Sequence, residues 1–249
     1  DSLAHTTFST EQLRPRFTRR FTRRKKLAAS PFHTLRLTPE LRAVICNVEM
    51  ASSALLDRQL ARLSGIRLDL IRTRQFGAEH GERIDRAIAT LEPLADRLAF
   101  CRPPFDLENV AATADAFKAT LLVLDYIQRI APPGEHADRR QSVDATMNHL
   151  RCFADAGTAV LVISAVGRGR DSRGRSSYES DALSLASFRE SSELEFGADD
   201  AYLLAPDRST PGAVTLRHLK SRYGECRDLH LSFDGAHQRF TPENCGAYE

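Results

Sequence analysis

Residues 120–130 read TLLVLDYIQRI, and this stretch decides the fold. Apolar side chains fill positions 121–126 except at Asp125, and such a short continuous run predicts a strand buried on both faces of a parallel sheet. A carboxylate at the end of such a strand lies at the carboxyl edge of the sheet, where open α/β folds bind their ligands. Asp125 could equally be the N-cap of the segment that follows, so this residue alone leaves two interpretations open.

Strand and helix patterns alternate on both sides of this stretch. Further strands are predicted at 42–48, 98–101 and 158–164, and helices at 52–63, 69–74, 80–96, 107–118 and 139–156. The helix at 52–63 has Ser52 or Ser53 as its expected N-cap. Three more strands, at 201–204, 213–219 and 228–233, follow one another without intervening helices. We therefore expect an α/β fold with a mainly parallel sheet flanked by helices and a C-terminal antiparallel β extension.

The overall composition excludes several classes of protein. A net charge of +2 over 249 residues does not by itself indicate a nucleic-acid partner. The five cysteines lack paired spacing, which argues against a zinc site or a disulfide framework and fits a reducing compartment. Because no run of 18 apolar residues occurs, we expect no membrane span and a cytoplasmic location.

Positive charge is concentrated near the start of the chain. Residues 14–26, RPRFTRRFTRRKK, contain eight basic side chains in thirteen positions. Such a block is typical of a disordered segment or a nucleic-acid-binding arm, and an Arg-rich, acid-poor start also occurs in organelle transit peptides. We expect residues 1–34 to form a poorly ordered arm.

Four blocks in order resemble one known family. They are CNVEM at 46–50, LLVLDYIQ at 121–128, FRESSELEFGADDAYLL at 188–204 and LKSRYG at 219–224. Together they resemble the C-terminal, RecA-like ATPase domain of DnaB-type replicative helicases, and the resemblance extends over residues 36–240. The implied organisation is a basic arm at 1–34, a RecA-like P-loop NTPase domain at 35–240 and a tail at 241–249.

The resemblance implies roles in ATP hydrolysis for a small set of residues. Glu49 would polarise the attacking water, Asp125 would hold Mg²⁺ through water, and Asp125 and Gln128 would contact the ATP. Lys220 and Arg222 would enter the nucleotide site of a neighbouring subunit as an arginine-finger strand. Without the resemblance, Glu49 is equally a surface glutamate that starts a helix, and the basic pair is a solvated strand face.

The family also implies partners. Arg168, Arg170, Arg173 and Arg175 lie in a Gly- and Ser-rich loop, where they would track the backbone of single-stranded DNA without reading its sequence. An ordinary basic loop is the alternative. The implied assembly is a homo-oligomeric ring, expected to be a hexamer, with a primase or a helicase loader as a further partner.

Two departures from the family pattern bear on activity. The family's phosphate loop, Gly-x-x-x-x-Gly-Lys-Ser/Thr, should precede Glu49, but the first glycine of this chain is Gly65. Ala165 stands where the family has a glutamine, and it has no side-chain donor for a γ-phosphate. Two hypotheses follow: a helicase ATPase domain whose activity is in doubt, or a non-catalytic RecA-like module for DNA binding or helicase assembly. A recombinase or circadian-type relative on the same fold is a third alternative.

Overall fold

A computed structural model describes residues 41–136, 138–165 and 197–243. The predicted arm at 1–34 and the four arginines of the basic loop, Arg168, Arg170, Arg173 and Arg175, lie outside the described residues. Those two predictions, and the division of the chain at residues 34 and 240, therefore stay predictions.

A four-stranded parallel sheet forms the centre of the described structure. Its strands are β1 (Ala43–Asn47), β2 (Leu98–Phe100), β3 (Leu121–Asp125) and β4 (Ala159–Ile163). The order across the sheet is β2-β1-β3-β4, and every neighbouring pair is parallel. The stretch at 120–130 thus supplies one of the two inner strands, as its apolar run predicts.

The described residues form five α-helices and three short 3-10 helices. The α-helices are α1 (Ser52–Ser64), α2 (Leu68–Thr73), α3 (Gly81–Leu91), α4 (Leu107–Phe117) and α5 (Arg139–Asp155). The 3-10 helices are Ala78–His80, Glu92–Arg97 and Ile127–Arg129. The helix predicted at 80–96 becomes a 3-10 helix after Leu91, because Pro93 cannot continue the α-helical hydrogen bonds. None of the described helices has the length and apolar character needed to cross a membrane.

The main core lies on one face of the parallel sheet. There α4 and α5 cover the inward side chains of β1 and β3, and Val44, Cys46, Leu122 and Leu124 are fully buried. The alternate residues of β3 are only half-buried, so the prediction of a strand buried on both faces is correct for one face. Side chains of β4 are more exposed than those of β3: Leu161 is 55% exposed and Ile163 is 44% exposed.

The start of α1 differs from the prediction. Its N-cap is Ala51, without a side-chain cap, and Ser52 and Ser53 are the first two helical residues. The expected serine cap is therefore wrong. The physical reason lies upstream, because the side chain of Asn47 accepts hydrogen bonds from backbone N–H groups of the turn that leads into the helix. This turn places the helix boundary one residue before the serines.

Helices α1, α2 and α3 pack into a small second core. Ala61, Ile66 and Ile71 are its buried members. Arg83 of α3 holds the end of α1, since its guanidinium donates to the carbonyl of Ser64 at 2.8 Å. This contact satisfies one of the carbonyls left open at the end of a helix.

The C-terminal part forms a four-stranded antiparallel sheet, which confirms the predicted β extension. Its strands, in spatial order, are β5 (Asp200–Pro206), β6 (Ala213–Ser221), β7 (Leu229–Asp234) and β8 (Arg239–Pro242). Strand β8 was not predicted, because all four of its residues are exposed and the sequence RFTP shows no alternation. The β7–β8 turn contacts the helical part of the chain through a hydrogen bond of 2.8 Å from Leu68 N to the Ala236 carbonyl.

Candidate functional site

Strands β1 and β3 end side by side at the carboxyl edge of the parallel sheet. Their pairing places Asn47 directly opposite Asp125, the last residue of each strand. The backbone N–H of Val48 extends the pairing by donating to the Asp125 carbonyl at 2.8 Å. Glu49 follows two residues after the end of β1 and is exposed. The two predicted acidic residues therefore lie at neighbouring positions of one sheet edge.

The side chain of Asn47 connects these two strand ends. Its amide nitrogen, Nδ2, donates to Asp125 Oδ2 at 2.7 Å. Its amide oxygen, Oδ1, accepts from the backbone N–H of Glu49 at 3.0 Å and of Met50 at 2.7 Å. The turn that carries Glu49 and the carboxylate of Asp125 are thus held by one buried amide.

The carboxyl group of Asp125 is perturbed by its surroundings. Partial burial raises the pKa of Asp125, and the nearby negative charge of Glu49 raises it further. Both effects disfavour a bare carboxylate at this position, which makes the edge receptive to a cation. A titratable group perturbed by burial and by a like charge at a sheet edge is a typical candidate for function.

Gln128 connects the end of β3 to the end of β4. It lies in the 3-10 helix after β3, and its Nε2 donates to Ser164 Oγ at 2.8 Å and to the Ala165 carbonyl at 3.1 Å. Its Oε1 accepts from the Ala165 N–H at 3.2 Å. The predicted contact of Gln128 with a nucleotide is not tested by this geometry and stays a prediction.

A cation also lies close to the acidic edge. Arg129 is exposed, and its Nε donates to the hydroxyl of Tyr126 at 3.0 Å. This hydrogen bond raises the pKa of Arg129, and the charge of Glu49 adds to the effect. Arg129 was not among the predicted site residues. Its position directly after the block LLVLDYIQ at 121–128 is the sequence feature that could have identified it.

Lys220 and Arg222 belong to the second sheet and not to the edge formed by β1 and β3. Lys220 is opposite Ala201 in the β5–β6 pairing, and Arg222 follows the last residue of β6. Arg222 Nη1 forms an ion pair with Asp199 Oδ1 at 3.0 Å. A role for these two residues in a neighbouring subunit stays a prediction.

The donor set at this edge fits Mg²⁺. Glu49 and Asp125 supply carboxylate oxygens, which are hard ligands, and Oδ1 of Asp125 makes no hydrogen bond with other described residues. The described part of the chain contains no cluster of three or more His, Cys, Asp or Glu side chains suited to a metal. Mg²⁺ needs no such cluster, since it retains several waters and is held by one or two carboxylates together with substrate phosphates.

Comparison with known proteins establishes the family. The profile described as "DnaB-like helicase C terminal domain" matches residues 25–242. The chain belongs to this family. A search of curated proteins finds no match.

Solved structures support the same fold for the DnaB-like domain. One of them, described as an ATPase domain, superposes with a TM-score of 0.71 at 18% identity, covering 80% of this chain and 74% of that chain. A structure titled "The Structure Of A DnaB-Like Replicative Helicase And Its Interactions With Primase" gives a TM-score of 0.70 at 18% identity. It covers 80% of this chain, which spans only 50% of that helicase. These likenesses confirm the RecA-like fold predicted for the DnaB-like domain.

Asn47, like Arg129, was not predicted as a member of the site. Asn47 ends the apolar run AVICN, two residues before Glu49. A polar residue that closes a buried strand just before a turn is the signal that could have found it, because Asn side chains hydrogen-bond to backbone N–H groups two residues on. The partner Asp125 is 78 residues away and could not be assigned from this pattern.

Proposed function

We propose that this chain is the ATP-hydrolysing motor domain of a replicative DNA helicase that moves along single-stranded DNA. One observation carries the proposal: Glu49 and Asp125 lie at adjacent strand ends, joined through Asn47, and the charge of Glu49 acts on Asp125. Hydrolysis of ATP requires a positioned water and a cation on the phosphates, and this pair of carboxylates supports both requirements.

Each carboxylate has a distinct role in the proposed reaction. Glu49 is exposed and accepts the proton of the attacking water, a contribution of roughly 10²–10⁴-fold in rate for general bases. Asp125, held in place by Asn47, would hold Mg²⁺ through water. When bound, Mg²⁺ supplies neutralisation of the charge that develops on the phosphates.

The remaining machinery is proposed to come from neighbouring copies and from the basic loop. Lys220 and Arg222 would close the ATP site of the next subunit in a hexameric ring. The four arginines Arg168, Arg170, Arg173 and Arg175 would contact the DNA backbone. Gln128, which bridges β3 and β4, would link the nucleotide site to the segment that follows β4. A primase or a loader is the proposed partner, in line with the primase interaction named for one similar structure.

A second function is supported by a specific feature of the sequence. Residues 1–64 contain no glycine, so they cannot form the glycine-rich loop that directs several backbone N–H groups at phosphates. This favours a non-catalytic RecA-like module that binds DNA or joins intact helicase subunits. The family match and the acidic edge are compatible with this alternative as well.

ATP turnover stimulated by single-stranded DNA separates the two functions. We expect turnover in the wild-type chain that is lost in Glu49→Gln and in Asp125→Asn but kept in the matched control Glu82→Gln, an exposed glutamate on α3. A wild-type chain that binds single-stranded DNA but neither binds nor hydrolyses ATP would establish the non-catalytic module instead.

A further inference from the structure

Asn47 occupies an unusual position for a polar side chain. It is the last residue of the inner strand β1, it is only 9% exposed, and the residue before it, Cys46, is fully buried in the core. Burying an amide costs free energy unless its donors and acceptors are paired. A buried amide at the carboxyl edge of a sheet is therefore stable only when its polar atoms are hydrogen-bonded.

Both polar atoms of the Asn47 amide form hydrogen bonds, and their partners lie in different parts of the structure. Nδ2 donates to Asp125 Oδ2 on β3 at 2.7 Å. Oδ1 accepts from the N–H groups of Glu49 and Met50 in the turn after β1, at 3.0 Å and 2.7 Å. A residue in this position must donate and accept at once. Aspartate could accept from the turn but could not donate to Asp125, and alanine could do neither.

The hydrogen bond to Asp125 also has an electrostatic consequence. Burial and the charge of Glu49 both work against the carboxylate form of Asp125. An N–H donated to a carboxylate favours the charged form, so Asn47 opposes these two effects. It also engages Oδ2 and leaves Oδ1 for another ligand.

We infer that Asn47 is a positioning residue that holds the Asp125 carboxylate and the Glu49 turn in one fixed arrangement. This inference rests on the proposed function for its catalytic meaning, since Asn47 acts only through Glu49 and Asp125. Its structural content is independent of that function: one amide fixes the backbone of the Glu49 turn relative to the Asp125 carboxylate. Residues that orient metal ligands typically change metal affinity or activity about 10–100-fold when they are replaced.

The decisive measurement is hydrogen exchange at the Glu49 and Met50 amides, which donate to Asn47 Oδ1 and should exchange faster in Asn47→Ala. A second measurement is the titration of the Asp125 carboxyl carbon by NMR in the full chain labelled with ¹³C-aspartate. The signal is assigned by its loss in Asp125→Asn. We expect Asn47→Ala and Asn47→Asp to raise the pKa of Asp125, with the larger increase in Asn47→Asp because it adds a negative charge. Asn47→Ser, whose hydroxyl both donates and accepts, should restore part of the change. Asn148→Ala, at an exposed position on α5, should leave the titration as in wild type.

The same variants then report on the site's ligand. Mg²⁺ affinity should fall about 10–100-fold in Asn47→Ala and Asn47→Asp and should recover in part in Asn47→Ser. Wild-type hydrogen-exchange rates at the Glu49 and Met50 amides in Asn47→Ala would overturn the inference, whatever the ATPase activity. Faster exchange at the Glu49 and Met50 amides in Asn47→Ala, in a chain that shows no ATP turnover, would support Asn47 as the positioning residue while rejecting the proposed catalytic function.

Discussion

Gln128 donates a hydrogen bond of 2.8 Å to Ser164, and this contact joins the carboxyl ends of β3 and β4. The same side chain also pairs with both backbone groups of Ala165, as acceptor for the N–H and donor to the carbonyl. Two neighbouring strands of the parallel sheet are therefore fixed to each other at the edge where Asp125 ends β3.

Replacement of Gln128 by alanine should loosen the end of β4. Three hydrogen bonds are lost, and because the site is partly exposed, water replaces some of them, so we expect a loss of about 1–2 kcal/mol in the free energy of unfolding. Hydrogen exchange at the Ala165 amide should become faster in Gln128→Ala. The matched control is Gln59→Ala, since Gln59 is exposed on α1 and bonds only to Arg62 among the described residues. Equal exchange rates at Ala165 in wild type and Gln128→Ala would show that the contact does not hold this edge.

Asp125→Asn should stabilise the chain at neutral pH in the absence of Mg²⁺. Burial raises the pKa of Asp125 in the folded state above its value in the unfolded chain. At pH values between these two pKa values, the folded state therefore binds more protons than the unfolded chain. Stability contributed by this group is therefore present at low pH and lost as pH rises through the raised value. The amide variant has no charge to desolvate and retains an oxygen for Asn47 Nδ2. We expect a higher melting temperature than wild type at pH 7 and a smaller difference near pH 4.

The effect of added Mg²⁺ on the melting temperature tests whether Asp125 holds the cation. A cation that binds the folded state raises the melting temperature, and Asp125→Asn should abolish this rise. Asp85→Asn, an equivalent charge change at an exposed position on α3, should keep both the wild-type stability and the Mg²⁺ response. A Mg²⁺ response that persists in Asp125→Asn would remove Asp125 from the metal site.

The two faces of β3 should respond differently to truncation. Leu122 is fully buried against α4 and α5, whereas Leu121 is half-buried on the opposite face. Leu122→Ala should therefore cost about 2–5 kcal/mol in the free energy of unfolding measured with urea. Leu121→Ala removes the same atoms from a partly solvated position and should cost clearly less. Equal losses would mean that both faces of the strand are covered in solution.

Arg222 should be needed for turnover but not for folding. Its ion pair with Asp199 is partly exposed, and such pairs contribute less than about 1 kcal/mol. Arg227→Ala is the matched control, because Arg227 forms an exposed pair with Glu225 at the same 3.0 Å. We expect both variants to melt like wild type and only Arg222→Ala to lose about 10³-fold in ATP turnover, the loss expected if Arg222 acts as the proposed arginine finger.

Mixing inactive chains tests whether Arg222 acts between subunits. A ring assembled from Glu49→Gln and Arg222→Ala chains contains some interfaces with a wild-type Glu49 on one side and a wild-type Arg222 on the other. Turnover should therefore reappear in the mixture. Activity that stays at the level of the separate variants would place Arg222 outside a shared site.

The predictability of the fold varied with the strength of the local pattern. Strands β1 and β3 were predicted within a residue or two, because each is a short apolar run bounded by polar residues. Strand β8 carries no such pattern and was missed. The strand at 158–164 was predicted but the exposure of its side chains was not, since an apolar run does not show which of its faces another element covers.

The sequence predicted the acidic residues of the candidate site but not the hydrogen bonds that connect the strand ends. Glu49 and Asp125 could be selected because the resemblance to DnaB-type helicases implies their roles and because the carboxyl ends of parallel strands meet at one sheet edge. Asn47 and the partners of Gln128 could not be predicted, because a hydrogen bond between residues 78 or 36 positions apart produces no pattern in the local sequence.

The sequence by itself determined the α/β class, the inner strand ending in Asp125, and the motifs that place the chain among the DnaB-like domains. Periodicity and short motifs are local, and local patterns suffice for these conclusions. Only the tertiary structure decided that Asn47 connects the Glu49 turn to Asp125, that Gln128 connects β3 to β4, and that Leu161 and Ile163 of β4 are exposed. Each of these depends on which strands become neighbours, and parallel pairing brings together residues that the chain itself keeps far apart.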